Sequence, residues 1–465
     1  MKKNEIGIIG TGVMGASLSK NFLSKGFNIS VFDKDLEKLK KLDEQTNDSL
    51  TIFPNLISFV ESLEIPRKII LMLPAGDITD SCLDELKDIL SKGDIVMDGG
   101  NSFYKDTNRR YDYLNKFGIN FFGVGISGGE KGALIGPSIM PGGNKDSYNK
   151  ISSLLEVISA HKNDKPCCSY IGEGGAGHFI KMVHNGIEYA DMQIIAEIYL
   201  FLKFAMNKTN LEISSILSDW NQTEVKSYLI EITSSILSEE DPKTKEDLID
   251  LIVDASSNKG TGKWTSIESF ELGINISTIT SSLQARIISN FALEREVVGS
   301  YFNSIESDIA NITLDELREA YYLSKVIAYT QGFSMMKQAD SENNWNLNLE
   351  NIASTFRAGC IIQAEFLELI VEVYKEDSSL TNLLLSSKIK DILIDNEPSL
   401  RNLVVLSITR RIPIPTINSA LTYIDQLSSP LLGANLIQAQ RDLFGAHTFS
   451  RKDTEGVFHH EWKQN

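Results

Sequence analysis

The segment Gly10-Thr11-Gly12-Val13-Met14-Gly15 constrains this chain more than any other. It is a G-x-G-x-x-G set between an apolar run, Ile6-Gly7-Ile8-Ile9, and a helical pattern over 16–24. The first glycine permits the tight turn, the second lets backbone approach a pyrophosphate, and the third lets the helix pack on the strand. Free N–H groups where the helix starts, at Val13 and Met14, then hold the phosphates. A second strand, Asn28-Ile29-Ser30-Val31-Phe32, closes on Asp33, whose carboxylate is placed to accept hydrogen bonds from a ribose 2′-OH. A glycine-rich turn in an unrelated α/β protein is the competing reading. The complete sequence of strand, turn, helix, strand and acid disfavours it. A carboxylate at position 33 repels a 2′-phosphate, so it favours NAD over NADP, and Lys34 beside it partly offsets that charge.

Short β-branched runs continue through Lys68-Ile69-Ile70-Leu71-Met72-Leu73 and Ile95-Val96-Met97, as in a parallel α/β sheet. The pattern changes after Gly172-Glu173-Gly174-Gly175. Apolar residues then recur at helical spacing, beginning with a long helix over 177–204. The expected fold is a Rossmann-like α/β domain over 1–175, a large all-α domain over 176–435, and a C-terminal tail over 436–465 that must pack on something. With 42% hydrophobic and 23% charged residues and only 11 Pro, disorder and fibrous repeats are excluded. The net charge of -17 disfavours nucleic acid as a partner, and an anionic substrate would require cations gathered locally. Cys82, Cys167, Cys168 and Cys360 have no metal-ligand spacing and read as reduced thiols. The six histidines suggest no zinc site, so no metal is expected, and His459-His460 reads as an exposed tail pair. No apolar stretch reaches membrane-spanning length, and the N-terminal run is too short for a signal peptide. A soluble cytoplasmic protein is expected.

Lys181, His184, Asn185 and Glu188 fall at i, i+3, i+4 and i+7, on one helix face, while Met182, Val183 and Ile187 can serve the core. A solvated charged stripe is the ordinary reading of such a face. Gly186 argues against it, because a glycine inside a helix costs about 1 kcal/mol and suggests close approach of a backbone or ligand. A lysine with its pKa lowered by burial can take a proton from an alcohol while hydride leaves, then hold a developing oxyanion. A glutamate two turns away can return a proton to carbon.

Polar clusters follow the strands at Asp98-Gly99-Gly100-Asn101-Ser102 and Ser127-Gly128-Gly129-Glu130, where open α/β sheets bind ligands. Asn258-Lys259-Gly260-Thr261-Gly262-Lys263-Trp264 suits a phosphate, although it lacks the full P-loop pattern. Arg286 and Arg441 could make bidentate phosphate contacts; singly, each reads more readily as a surface arginine than as a ligand.

Taken in order, these blocks resemble the 6-phosphogluconate dehydrogenases over nearly the whole chain. The resemblance rests on 10–15, 98–107, 125–130, 136–143, 181–189, 259–265 and 435–447. It implies oxidation of 6-phosphogluconate at C3, loss of C1 as CO2 and release of ribulose 5-phosphate, a step of the pentose phosphate pathway that needs no metal. Lys181 would be the base that later stabilises the enolate, and Glu188 the acid. Asn101, Ser127, Gly128, Gly129, His184 and Asn185 would position carboxylate and hydroxyls. Tyr189, Lys259, Thr261 and Arg286 would bind phosphate. Arg441 and His447 would complete the pocket of a partner subunit, which implies a homodimer with shared active sites. Gly10, Gly12, Val13, Met14, Gly15, Asp33, Lys34, Leu73, Ala75 and Asn101 would line the cofactor.

The departures from the family pattern fall mainly on the cofactor side. NADP-using members usually carry Asn-Arg-Thr or Asn-Arg-Ser where this chain has Asp33-Lys34-Asp35, often Ala for Gly12, and Val-Lys-Ala-Gly for Leu73-Pro74-Ala75-Gly76. NAD is therefore favoured, with NADP as the alternative. Ser257-Asn258 replaces a usual Gly-Gln, Lys131 a common Glu and Ala358 a common Gly. Two other functions remain open: another β-hydroxyacid dehydrogenase, which would not need the cations Lys259, Arg286 and Arg441, and a catalytically silent dinucleotide-binding protein, which would not need both Lys181 and Glu188.

Overall fold

The computed structural model describes residues 3–44, 46, 49–256, 260–302 and 311–462. Lys259 lies outside the described residues, as do Ser257 and Asn258.

The N-terminal part is built on a seven-stranded sheet: β1 (Ile6–Ile9), β2 (Ile29–Phe32), β3 (Leu50–Phe53), β4 (Lys68–Leu71), β5 (Ile95–Asp98), β6 (Asn120–Ser127) and β7 (Ser138–Gly143). Their spatial order is β3-β2-β1-β4-β5-β6-β7. The strands through β6 pair in parallel, as the apolar runs predict. β7 corrects the parallel expectation, because it runs antiparallel to β6 as an edge strand. Pro141 sits in β7, where a missing N–H is tolerated. The strand order reverses between β1 and β4, the switch point at which such sheets bind ligands. Separate apolar clusters cover the two faces of the sheet, one around Ile8, Val31 and Phe122 and one around Leu71, Val96 and Phe121.

Three helices on this sheet matter to the site: α1 (Val13–Ser24), α2 (Asp77–Lys87) and α3 (Tyr104–Asn115). α1 starts at Val13, earlier than the pattern over 16–24 suggests. Its first turn faces a cavity rather than the core, so apolar periodicity cannot report it.

The helical part begins with α4 (Ala176–Ala205), close to the expected 177–204. Around it pack α5 (Thr261–Glu271), α6 (Ser277–Ser289), α7 (Leu314–Asn343) and α8 (Pro415–Ser428), enclosing one large apolar cluster. Two buried polar locks fix the second half of α4. Asp191 accepts from Lys325 Nζ at 2.7 Å and Tyr321 OH at 3.0 Å, both on α7. Glu197 accepts from the N–H groups of Thr416 and Ile417, 2.9 Å each, and so caps α8. Removing one partner of a buried pair of this kind costs about 3–5 kcal/mol, so these locks hold α4 in one position.

The tail contains α9 (Ala434–Gly445), of which only Asp442 is buried. Asp442 accepts from Thr448 N, His459 Nδ1, His460 N and Trp462 Nε1 at 2.8–3.0 Å. His459 and His460 are exposed, as expected from sequence, and His459 is also bonded. It helps fold the tail back on α9, and these bonds hold the Asp442 carboxyl well below the usual carboxylate range. Leu436, Ile437, Leu443 and Phe444 remain exposed on the same helix. No helix among the described residues is long and apolar enough to cross a membrane.

Candidate active site

A cavity of roughly 610 Å³ opens at the switch point, lined by Gly10, Gly12, Val13, Met14, Gly15, Met72, Leu73 and Pro74 at the strand ends and by Asp33, Lys34, Lys38 and Glu85 at its far side. The glycines divide their work as the motif requires. A Cβ at Gly15 would lie 2.0 Å from Gly10 O, whereas a Cβ at Gly12 would meet nothing within 4 Å. Gly12 is also the N-cap of α1 and makes no side-chain cap bond, so the helix end offers free N–H groups beside open space. The donor set and the space fit a dinucleotide. Ala75 lies outside this lining, exposed one residue past Pro74.

Asp33 sits where the motif places it, but its carboxylate is already engaged. Oδ2 accepts from Thr11 N at 2.7 Å and Thr11 Oγ1 at 3.0 Å, and Oδ1 accepts from Asp35 N at 2.9 Å. The Lys34 ammonium donates to Glu85 Oε1 at 2.9 Å, so its charge is matched by a residue that the sequence reading did not single out. Only the fold brings α2 against β2, and nothing in the spacing of Glu85 signals it.

Asn101 stands exposed on the loop after β5. Arg110 of α3, 1% exposed, braces that loop. It donates to Asp98 Oδ2 at 3.3 Å, Ser102 Oγ at 3.1 Å, Gly76 O at 3.1 Å and Asp80 Oδ1 at 2.7 Å. One guanidinium thus ties the loop carrying Asn101 to the loop carrying Leu73 and Ala75. It too escaped the sequence reading, since its neighbours in sequence give no hint of a buried arginine.

The face of α4 is not solvated. Lys181, His184 and Asn185 are all buried, and the Glu188 side chain is 20% exposed. A Cβ at Gly125 of β6 would lie 2.6 Å from Lys181 Cβ, so the glycine lets the lysine stem lie directly on the sheet. Gly186 permits a close approach, here of side chains from two neighbouring helices. Its missing Cβ would stand 2.8 Å from Thr265 Cγ2 of α5 and 3.1 Å from Ile279 Cγ2 of α6.

His184 organises the cluster. Its Nδ1 lies 3.1 Å from Asn185 Oδ1, 3.5 Å from Lys181 Nζ and 3.8 Å from Glu188 Oε2, and its Nε2 lies 3.1 Å from Ser127 Oγ. With the proton on Nδ1, the ring donates to Asn185 and faces Lys181 Nζ, while Ser127 donates to Nε2. Burial, with Lys181 close by, pushes His184 well below the usual imidazole range, so the ring is neutral. Burial also lowers Lys181, against a smaller opposing pull from Glu188. Burial raises Glu188, opposed by Lys181 and Arg286. Both shifts favour the uncharged forms, a base and an acid side by side.

Beyond Glu188 lie the phosphate candidates. The Arg286 guanidinium of α6 stacks 3.7 Å over the Tyr189 ring and, 9% exposed, forms no ion pair with a carboxylate among the described residues. Thr261 is buried at the start of α5, beside the Tyr189 ring that packs on Gly262. α5 is clamped to the sheet domain by Glu268, which accepts from Tyr104 OH and Lys105 Nζ, 2.7 Å each. Gly128 and Gly129 follow β6, where Gly128 packs on Gly359 O and Gly129 faces open space. Arg441 and His447 are exposed on the tail. No bond or ring contact among the described residues joins them to α4.

A switch-point dinucleotide cavity joined to a helical domain with a buried lysine and carboxyl defines a nicotinamide-dependent dehydrogenase of the hydroxyacid type. The comparisons narrow the class. Residues 5–172 match the family described as the NAD binding domain of 6-phosphogluconate dehydrogenase, and residues 177–462 match its C-terminal domain. A decarboxylating 6-phosphogluconate dehydrogenase of Klebsiella pneumoniae is 47% identical, covering 99% of this chain and 100% of that protein. Bacillus subtilis has an NAD(+)-dependent relative at 48% identity and an NADP(+)-dependent one at 45%, each covering 99% of this chain and 100% of that protein. The solved 6-phosphogluconate dehydrogenase of Plasmodium falciparum superposes with a TM-score of 0.94 at 40% identity, over 98% of this chain and 100% of that one. This chain belongs to the 6-phosphogluconate dehydrogenase family.

Proposed function

We propose that this chain converts 6-phosphogluconate to ribulose 5-phosphate and CO2, with Lys181 as base and Glu188 as acid. The observation that carries this reading is Lys181, buried 3.5 Å from neutral His184 on the floor made by Gly125, where burial lowers its pKa. A bound dinucleotide would supply the acceptor for the C3 hydride. Lys181 Nζ accepts the C3 hydroxyl proton as that bond to hydrogen breaks. The resulting ammonium faces the new C3 carbonyl oxygen and holds its negative charge as the C1–C2 bond breaks and CO2 departs. Glu188 then delivers a proton to the carbon that carried the carboxylate, and passage of the lysine's proton back to the Glu188 carboxylate resets both groups. Ser127, Asn185, Gly128 and Gly129 position the substrate carboxylate and hydroxyls, and Asn101 stands between substrate and cofactor.

Arg286, Tyr189 and Thr261 bind the phosphate, joined by Lys259. Arg286 is suited to this by its buried guanidinium, which has no carboxylate ion pair among the described residues. This arrangement reconciles an anionic substrate with a chain of net charge -17. The exposed apolar side of α9 and the exposed Arg441 and His447 support a homodimer whose tails complete each other's sites. The domain limits 1–175, 176–435 and 436–465 follow the same division of labour, and the protein acts in the cytoplasm.

Asp33 favours NAD. The test is the ratio of kcat/KM with NADP to that with NAD, in the parent and in Asp33→Asn. About a tenfold rise in the variant is expected from removing one charge near a 2′-phosphate. An unchanged ratio removes Asp33 from the ribose site.

A further inference from the structure

Only two cations, Lys34 and Lys38, line the far side of the dinucleotide cavity among the described residues. Both are matched by carboxylates. Lys38 pairs with Asp35 at 3.4 Å, and Asp35 also caps its own helix by accepting from Glu37 N and Lys38 N. Lys34 pairs with Glu85 Oε1 at 2.9 Å. The two elements that meet here, the end of β2 and the helix α2, carry no further cation that lines the cavity. With Asp33, three carboxylates therefore stand against two lysines where the adenosine ribose is read.

We infer that Glu85 is a specificity-determining residue for the dinucleotide: by holding Lys34 it withholds the one cation beside Asp33 from a 2′-phosphate, and so selects the unphosphorylated ribose. This rests on the reading that the ribose lies at Asp33. The bond to Glu85 keeps Lys34 charged, since it raises the ammonium above its ordinary value. A phosphate arriving at the 2′ position therefore meets a neutral pair instead of a free cation, in addition to the Asp33 charge. The pair is solvent-exposed, with side chains 74% and 48% accessible, so the effect is modest. Freeing one exposed cation next to a phosphate improves binding by about fivefold.

The experiment measures kcat/KM for NADP and for NAD with saturating 6-phosphogluconate in the parent, Glu85→Gln, Asp33→Asn, Lys34→Met and the Glu85→Gln/Lys34→Met double variant. Glu85→Gln is expected to raise the NADP/NAD ratio about fivefold, through KM for NADP, with a smaller gain at high salt. The gain is expected to vanish in the Lys34→Met background. A gain that persists there means that Glu85 repels the phosphate directly, which overturns the inference. If Asp33→Asn shifts the ratio and Glu85→Gln does not, the inference fails while the ribose position stands. If neither shifts it, the ribose position itself is wrong.

Discussion

Lys181 Nζ stands 3.5 Å from His184 Nδ1, and the lysine forms no ion pair with a carboxylate among the described residues. A lysine is rarely buried without such a partner, because desolvation penalises its charge. Here the penalty serves reactivity, and the fold tolerates it because α4 is anchored elsewhere, at Asp191 and Glu197.

Lys181→Met is therefore expected to abolish turnover and also to raise the melting temperature, by about 2 °C. The sign follows from linkage. The folded lysine has a lowered pKa, so the unfolded chain binds the proton more tightly, and parent stability rises with pH between the folded value and the ordinary one. The gain from Lys181→Met should accordingly be full below the folded value and shrink as pH rises from there towards the ordinary one. Thermal unfolding of both proteins across pH decides it; a parent that is the more stable at neutral pH contradicts the desolvation account.

Gly186→Ala sets two effects against each other. The helix gains about 1 kcal/mol from the better residue. The new methyl would stand 2.8 Å from Thr265 Cγ2, and overpacking of this kind costs about 1–3 kcal/mol. Thr265 cannot swing aside, because its hydroxyl donates to Met182 O and Thr261 O, 2.9 Å each. Net destabilisation of about 1 kcal/mol is expected, with a raised KM for substrate because α5 carries Thr261. A more stable variant with unchanged KM would show that the helices part without cost.

Arg110→Lys keeps the charge but loses the fork that reaches four acceptors. The loops at Gly76 and Asn101 then lose their common brace. KM for dinucleotide and for substrate should rise together, several-fold, with a lower melting temperature. A change confined to stability would assign Arg110 to the core alone.

Shared sites can be tested by mixing Lys181→Ala with Arg441→Ala after dissociation. Each mixed dimer would contain one site with both residues intact, so about a quarter of parent activity should appear at equal mixing. No recovery would mean that Arg441 serves its own subunit or no site.

The dinucleotide loop was legible because its chemistry is local: Gly10, Gly12 and Gly15 act within one turn, and Asp33 follows at a fixed interval. The face of α4 was legible for a similar reason, since helical periodicity brings Lys181, His184, Asn185 and Glu188 together without help from the rest of the chain. What escaped was long-range. Glu85 meets Lys34 across 51 positions and Glu268 meets Tyr104 across 164, distances at which no spacing rule operates. β7 was missed as an antiparallel edge because its glycines and proline carry little strand propensity. The exposure of His459 was legible but its bond to Asp442 was not, because that partner comes within reach only once the tail folds back.

The most direct test supplies 6-phosphogluconate with NAD and with NADP and follows reduced nicotinamide and CO2 in the same reaction, in the parent and in Lys181→Met. The account predicts CO2 and reduced nicotinamide in equal amounts, faster with NAD, and neither product from the variant. Reduction without CO2, or normal turnover by Lys181→Met, would contradict it.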